Sequence, residues 1–386
     1  MGDLILRGGR VVTPGGVRAA DVVVRAGRIA AVAEVDGAGG GAAEVVDLAD
    51  RWLLPGFVDL HVHGGGGAQF NTTDPDEVRA AARFHAAHGT TALLASTVAA
   101  PVDELVGALE AIEVAHAAPL DGVAEVLGAH LEGPFLSARW PGAMDGAAFL
   151  DPDAAALDAL LAAGPVRSMT IAPELPGALA LIARLRDAGA LVALGHSDAS
   201  YAEVERAVAA GARAVTHAFN AMRPLHHRDP GLLAAALDLP ALACEVIADG
   251  VHVDPVMVRL LQRLKGAERT LLVTDAIEAT GLPDGDYRLG GRAIAVAGGR
   301  ATLAGAETIA GAALTMEGAL RNAVAFCGVP VEQAARMAAT TPAQLLGIAD
   351  RKGSIAPGRD ADLVVLGDDL ALAGVLARGV WARPLA

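Results

Sequence analysis

Lysine is almost missing from this chain of 386 residues: of 30 basic residues only Lys265 and Lys352 are lysines, and the other 28 are arginines. Cysteine is equally scarce. Cys244 and Cys327 have no paired spacing, which excludes a disulfide framework and a Cys-based zinc knuckle. Aromatics are few (7 Phe, 3 Trp, 2 Tyr), so the core must be built from Ala, Val and Leu. Acids outnumber bases 45 to 30, a formal charge of −15 with no basic run, which argues against a nucleic-acid groove or a polybasic membrane patch. An anionic small ligand remains compatible, because a few local arginines can bind a phosphate against a negative average. No apolar run approaches the ~20 residues of a membrane span. The start Met1-Gly2-Asp3 runs directly into a polar–apolar alternation, without the charged start and apolar stretch of a signal peptide. A soluble, reduced, cytoplasmic protein is the expectation.

A hydrophobic content of 53% suffices for one barrel-sized core and a smaller appendage. From Leu4 to Leu48 the chain reads as short strands (Leu4-Ile5-Leu6, Val11-Val12, Val22-Val23-Val24, Ile29 to Val32) split by hairpin signals at Gly8-Gly9, Pro14-Gly15-Gly16 and Gly27. Gly37 to Gly41 reads as a flexible connection. The rhythm then changes to apolar strands that end in polar residues and alternate with helical patterns. The strands are Leu54–His61, Thr91–Thr97, Val123–Glu132, Ser168–Ala172, Leu191–His196, Ala214–His217, Ala243–Ala248 and Leu271–Asp275. Eight such strands predict a distorted (β/α)₈ barrel, an α/β fold, rather than a doubly wound sheet. A β-like insertion follows at Tyr287–Leu303, then helical stretches over Thr315–Cys327 and Val331–Leu346, and strands return in the tail. The predicted organisation is a barrel over residues 54–350, with residues 1–53 and 351–386 forming one small β-sandwich domain from both chain ends.

Barrel active sites lie at the C-terminal strand ends. The first strand ends His61-Val62-His63, and residues i and i+2 of a strand share a face, so both imidazoles can converge on one ion. The third strand ends at Glu132, the fifth at His196, the sixth at His217 and the eighth at Asp275. Singly, each is as compatible with a polar rim residue, a salt bridge or a helix cap. Together they predict a metal site. His85, His88 and His116 fall on helices and read as solvated; His130, on the face of Glu132, reads as packed.

Beyond spacing, Pro55-Gly56-Phe57-Val58-Asp59-Leu60-His61-Val62-His63 resembles the opening strand of the amidohydrolase superfamily. His130-Leu131-Glu132-Gly133-Pro134-Phe135, Gly195-His196-Ser197, Thr216-His217-Ala218-Phe219-Asn220-Ala221-Met222 and Thr274-Asp275-Ala276 resemble its N-acetylglucosamine-6-phosphate deacetylase family. Arg228-Asp229-Pro230-Gly231 and Asp249-Gly250-Val251-His252 add to the likeness, which runs nearly the whole chain. The resemblance implies that Glu132, His196 and His217 hold a principal divalent metal, and that His61 and His63, with Asp275 and a shared Glu132, complete a second position. One or two ions per chain are thus compatible, zinc first, with iron, manganese or cobalt accepted by the same N/O donors. It implies Asp275 as the proton shuttle for a metal-activated water. It also implies a phosphorylated N-acetyl amino sugar held by Ala143, Asn220, Ala221, His252, Ile309, Ala310 and Gly311, with Arg228 reaching in from the partner subunit of a homodimer. Neither lysine lies on a barrel strand, so a carbamylated lysine bridge is excluded and Glu132 is the available bridge.

One departure stands out. Where the family usually has Gly-Ala-His, this chain reads Gly142-Ala143-Met144, and methionine supplies no strong hydrogen-bond donor. The expected reaction is hydrolysis of N-acetyl-D-glucosamine 6-phosphate to D-glucosamine 6-phosphate and acetate. The alternatives are another N-acyl amino sugar, such as N-acetylgalactosamine 6-phosphate, and a catalytically silent phosphosugar-binding relative.

Overall fold

A computed structural model describes residues 3–35 and 43–385; the glycine run 37–41 lies outside the described residues. Eight consecutive parallel strands form the central sheet: β1 (Phe57–Val62), β2 (Thr90–Val98), β3 (Glu125–Glu132), β4 (Val166–Ile171), β5 (Leu191–Leu194), β6 (Ala214–Val215), β7 (Ala243–Ile247) and β8 (Thr270–Val273). Each is buried almost end to end, as strands covered by helices on one side and barrel interior on the other must be. The sheet is a nearly closed barrel. Where β8 and β1 meet, Asp275 N–H donates to the His61 carbonyl at 2.9 Å and His63 N–H to the Ala276 carbonyl at 2.8 Å. Those two bonds fall among the predicted site residues, so the strands that close the barrel also carry His61, His63 and Asp275 to one place.

The helices follow from local signals. Asp153 caps Ala154–Ala163 by accepting from the Ala155 and Ala156 amides, and Ser200 with Glu203 forms a capping box on Tyr201–Ala210. Helix Gly231–Asp238 escapes the sequence reading because its start, Pro230-Gly231, carries turn residues. Alanines fill the helix–sheet interface where a more aromatic protein would place rings.

A second sheet joins the two chain ends. Its order is Val380–Arg383, Leu372–Ala377, Leu363–Leu366, Trp52–Pro55, Leu4–Thr13, Gly16–Arg25 and Arg28–Ala33, with Glu44–Asp47 also pairing to Leu4–Thr13. The expected turn at Gly8-Gly9 is instead a β-bulge: Leu4–Thr13 is one continuous strand whose register slips between Leu6 and Gly9, with Gly8 at φ 69°. Tyr287–Leu303 does form an antiparallel three-stranded sheet, turning at Gly290-Gly291 and Gly298-Gly299.

The terminal sheet is tied to the barrel by a buried ionic knot. Lys352 Nζ lies 2.6 Å from Asp362, 2.8 Å from Glu125 and 3.1 Å from Asp360, while Arg351 donates to Glu125 at 2.8 Å. Glu125 is the first residue of β3, and Glu132 is the last. Burial would raise the Glu125 carboxyl, but the Arg351 hydrogen bond and the Lys352 charge hold it down, at about 2. A carboxyl depressed on folding contributes stability that is full above its ordinary value and is lost as pH falls through the folded one. Lys352→Met, which leaves three carboxylates without their ammonium, should lower the unfolding free energy by about 3 kcal/mol in a urea titration at pH 7. Glu125→Gln should flatten the loss of stability between pH 4.5 and 2 relative to the wild type; an unchanged acid profile would contradict this role.

Candidate metal centre

His61 is in β1 and His63 follows it; Glu132 ends β3. The other three share a backbone device. His196, His217 and Asp275 each lie two residues beyond the end of β5, β6 and β8, and each takes a left-handed φ (46°, 24° and 50°). Non-glycine residues in that region cost of order 1 kcal/mol or more and persist where surrounding structure enforces them. All six side chains are buried.

Glu132 lies at the centre. Its Oε1 is 3.0 Å from His196 Nε2 and 2.8 Å from His217 Nε2, and those two nitrogens are 3.1 Å apart. Its Oε2 is 3.2 Å from His63 Nε2 and 3.7 Å from His61 Nε2, again with 3.1 Å between the nitrogens. Asp275 Oδ1 stands 3.2 Å from His63 Nε2. Among the described residues, two triads, His61-His63-Glu132 and Glu132-His196-His217, therefore present donor atoms within 4.8 Å of one another. Donors ~2.1 Å from a common tetrahedral ion lie roughly 3.4 Å apart, so the spacings fit a divalent metal. The donor set fits as well, because three of the rings use Nδ1 elsewhere and turn Nε2 inward. His61 Nδ1 donates to Glu245 at 3.0 Å, His63 Nδ1 to the Ser96 carbonyl at 3.2 Å and His196 Nδ1 to the Trp140 carbonyl at 2.8 Å.

The electrostatics favour positive charge between the rings and the carboxylates. Burial penalises every charge here, yet the charge of His61 and hydrogen bonds from His196 and His217 keep Glu132 well below the usual carboxylate range. Asp275, also opposed by burial, is held at about 2 by His63 and His61. Burial pulls the His63 imidazole down, but Asp275 and Glu132 lift it to about 9. Two carboxylates thus stabilise positive charge on the facing rings, and a divalent ion would displace those protons.

Two participants escape the sequence reading. Glu245, in β7, orients His61 and accepts from the His217 amide at 3.2 Å; a lone acid in the buried strand Ala243–Ile247 was the available signal. Asp59, in β1, accepts from the Thr274 hydroxyl at 2.5 Å and the His61 amide at 3.2 Å, pinning β8 to β1 directly beneath the ligands. Burial pushes its carboxyl up to about 7. The helical histidines are not solvated as expected. His85 is buried and bonds the Gly64 carbonyl at 2.8 Å, with burial pushing its imidazole down to about 4; His88 pairs with Glu317 and His116 with the Val126 carbonyl. Helices that pack on a barrel turn their polar residues inward wherever a carbonyl or acid awaits them. His130 is packed, as expected, with its ring 4.8 Å from that of His61.

The ligands open onto a cavity of about 210 Å³ whose walls include Ala143, Met144, Asn220, Ala221, His252, Ile309 and Gly311. Ala310 is fully buried in an apolar cluster with Ile277 and Ile294. Arg228 is exposed outside the cavity, its guanidinium 2.6 Å from His227 Nε2, and its neighbour Asp229 pairs with Arg223 instead. His252 is oriented by Asp249, 2.7 Å from its Nδ1. Met144 sits against Val98, Ala99 and Leu136.

Residues 52–382 match the sequence profile of the amidohydrolase family. The chain is 37% identical over 355 residues to an N-acetylglucosamine-6-phosphate deacetylase of Vibrio furnissii, covering 92% of this chain and 88% of that protein. It is 36% identical over 333 residues to an N-acetylgalactosamine-6-phosphate deacetylase of Escherichia coli O157:H7, covering 86% and 87%. The solved N-acetyl-D-glucosamine-6-phosphate deacetylase of Mycobacterium smegmatis, in complex with N-acetyl-D-glucosamine-6-phosphate, superposes with a TM-score of 0.93 at 40% identity over 100% of both chains. The shared position of Glu132 predicts an asymmetry in metal content. If both triads bind metal, Glu132→Ala should abolish binding at each, whereas His63→Ala should leave binding at the His196–His217 position, as read by metal-to-protein ratio after dialysis.

Proposed function

The chain belongs to the amidohydrolase family and, within it, to the N-acetylglucosamine-6-phosphate deacetylases, and on that premise we propose that it hydrolyses N-acetyl-D-glucosamine 6-phosphate to D-glucosamine 6-phosphate and acetate. The observation that carries this reading is the pair of triads sharing Glu132 at the floor of a sugar-sized cavity. His61, His63 and Glu132 would hold one divalent ion, with Asp275 beside it, and Glu132, His196 and His217 a second; zinc suits both donor sets. Bound there, a divalent ion supplies acidification of water and polarisation of the acetyl carbonyl.

The remaining chemistry is the chain's own. Asp275 is ionised in its resting state and lines the cavity, so it starts as the base that takes a proton from the attacking water. It then returns that proton to the leaving amine, which closes the cycle without a second acid. Asn220, Ala221 and Ala143 orient the sugar, and Ile309 and Gly311 cover it. Ala310, buried behind them against Ile277 and Ile294, supports the loop instead of touching the sugar. His252, fixed by Asp249 through Nδ1, presents its outer edge to the phosphate. Arg228 completes the phosphate site from a second copy of the chain. Two features support this. Its side chain lies outside its own cavity, and the helix Pro255–Lys265, which follows His252 in the chain, exposes an apolar stripe, Val256, Leu260 and Leu264, at i, i+4 and i+8. The two free thiols, one of them buried, suit a cytoplasmic enzyme. Residues 1–53 and 351–386 are read as one small β domain beside the barrel.

Met144 on the cavity wall favours a second reading, in which the galacto epimer is the better substrate. Acetate release from N-acetylglucosamine 6-phosphate, its galacto epimer and the unphosphorylated sugar decides between them. The glucosamine phosphate should turn over fastest, and equal rates with and without phosphate would contradict the roles of His252 and Arg228. Asp275→Asn should retain metal and lose roughly 10²–10⁴-fold in kcat. The double variant Leu260→Glu, Leu264→Glu should be monomeric by light scattering, with a raised KM for the phosphorylated sugar; a wild-type monomer would contradict the shared site.

A further inference from the structure

Between the metal ligands and the loop that carries Arg228 lies a set of polar contacts with no part in the reaction derived above. Asp198, two residues after His196, has a side chain only 12% exposed. It accepts the Trp140 indole N–H at 2.9 Å, Arg223 Nη2 at 3.1 Å and Nε at 3.3 Å, and a short bond from Arg139. Trp140 in turn offers its carbonyl to His196 Nδ1 at 2.8 Å. On the opposite side, Arg223 Nη1 meets both carboxylate oxygens of Asp229 at 2.7 and 2.8 Å, one residue beyond Arg228, and its amide donates to the Ser197 carbonyl at 3.1 Å. Glu174 closes the set from below, accepting the Ser197 hydroxyl at 2.7 Å and the Asp198 amide at 2.6 Å.

We propose that Asp198 and Arg223 are positioning residues for the two halves of the site: Asp198, through Trp140, fixes the His196 ring toward the metal, and Arg223 fixes the loop that presents Arg228 to the phosphate. An isolated surface ion pair would contribute little. Here, however, one carboxylate is held by three residues from two segments, Arg139 and Trp140 on one side and Arg223 on the other, and the fork of Arg223 spans both acids. The wiring is also asymmetric. Loss of Arg223 releases Asp229 and its loop but leaves Asp198 with Trp140 and Arg139, so His196 stays oriented. Loss of Asp198 releases both. The loop half rests on the phosphate role given to Arg228; the His196 half does not.

Zinc affinity, measured by competition with a chromogenic chelator, and steady-state kinetics on N-acetylglucosamine 6-phosphate separate the two halves. Asp198→Ala should weaken zinc binding about tenfold or more, as loss of a ligand's supporting hydrogen bonds does. Trp140→Phe, which removes only the indole donor, should weaken it in the same direction while both variants retain the wild-type circular dichroism. Arg223→Met should bind zinc within twofold of the wild type, keep kcat within twofold and raise KM about tenfold, matching Arg228→Met. Wild-type zinc affinity in both Asp198→Ala and Trp140→Phe would overturn the His196 half. A fall in kcat without a rise in KM for Arg223→Met, beside a raised KM for Arg228→Met, would overturn the loop half. If Arg228→Met keeps the wild-type KM, the phosphate reading itself fails and takes the loop half with it, whereas the zinc result stands on its own.

Discussion

The site depends on a single buried carboxylate. Glu132 ends β3 inside a ring of four imidazoles, with His61 and His63 against one oxygen and His196 and His217 against the other. A carboxylate withdrawn from water at that depth costs several kcal/mol unless positive charge meets it at close range. Everything around it answers that demand. Glu245, the Ser96 carbonyl and the Trp140 carbonyl each occupy the outer nitrogen of a ring, so that the inner nitrogens face Glu132. Asp275 adds a second negative charge on the cavity side, which deepens the preference for a dication over protons.

Meeting that demand constrains the barrel. Three of the candidate site residues lie past their strands in left-handed backbone, and β6 is only Ala214–Val215, two residues short of His217. The compensation lies in the closure of β8 on β1, through the Asp59–Thr274 bond and the paired amides at Asp275 and His63. It also lies at the far end of β3, where Glu125 joins the Lys352 knot. One strand thus anchors the terminal sheet at its first residue and, at its last, joins the two candidate metal triads.

Much of this was legible in the sequence, and the exceptions are instructive. The eight barrel strands were readable because both faces are buried, which writes them as near-continuous apolar runs. The first was read too early, however: Leu54 and Pro55 belong to the terminal-sheet strand Trp52–Pro55, and the barrel strand starts at Phe57. The candidate site residues were visible as polar residues at or just past strand ends. Glu245 and Asp59 were not, since an acid inside a strand shows its purpose only when the partner strand brings His61 or Thr274 alongside. The Gly8-Gly9 pair was misread as a turn because a bulge and a hairpin draw on the same left-handed glycine. His85 and His88 looked solvated because helical periodicity does not reveal that a Gly64 carbonyl or Glu317 waits on the barrel side. Arg228 was singled out only by family resemblance; it is exposed and lies outside the cavity of its own chain.

The central claim is that Glu132 bridges two cation positions. Anomalous diffraction at the zinc edge, from crystals grown with zinc, tests it most directly. The account predicts two peaks flanking the Glu132 carboxylate, one among His61 and His63 and the other between His196 and His217. A single peak that leaves His61 and His63 bonded only to the carboxylates, or peaks that avoid Glu132 altogether, would contradict it.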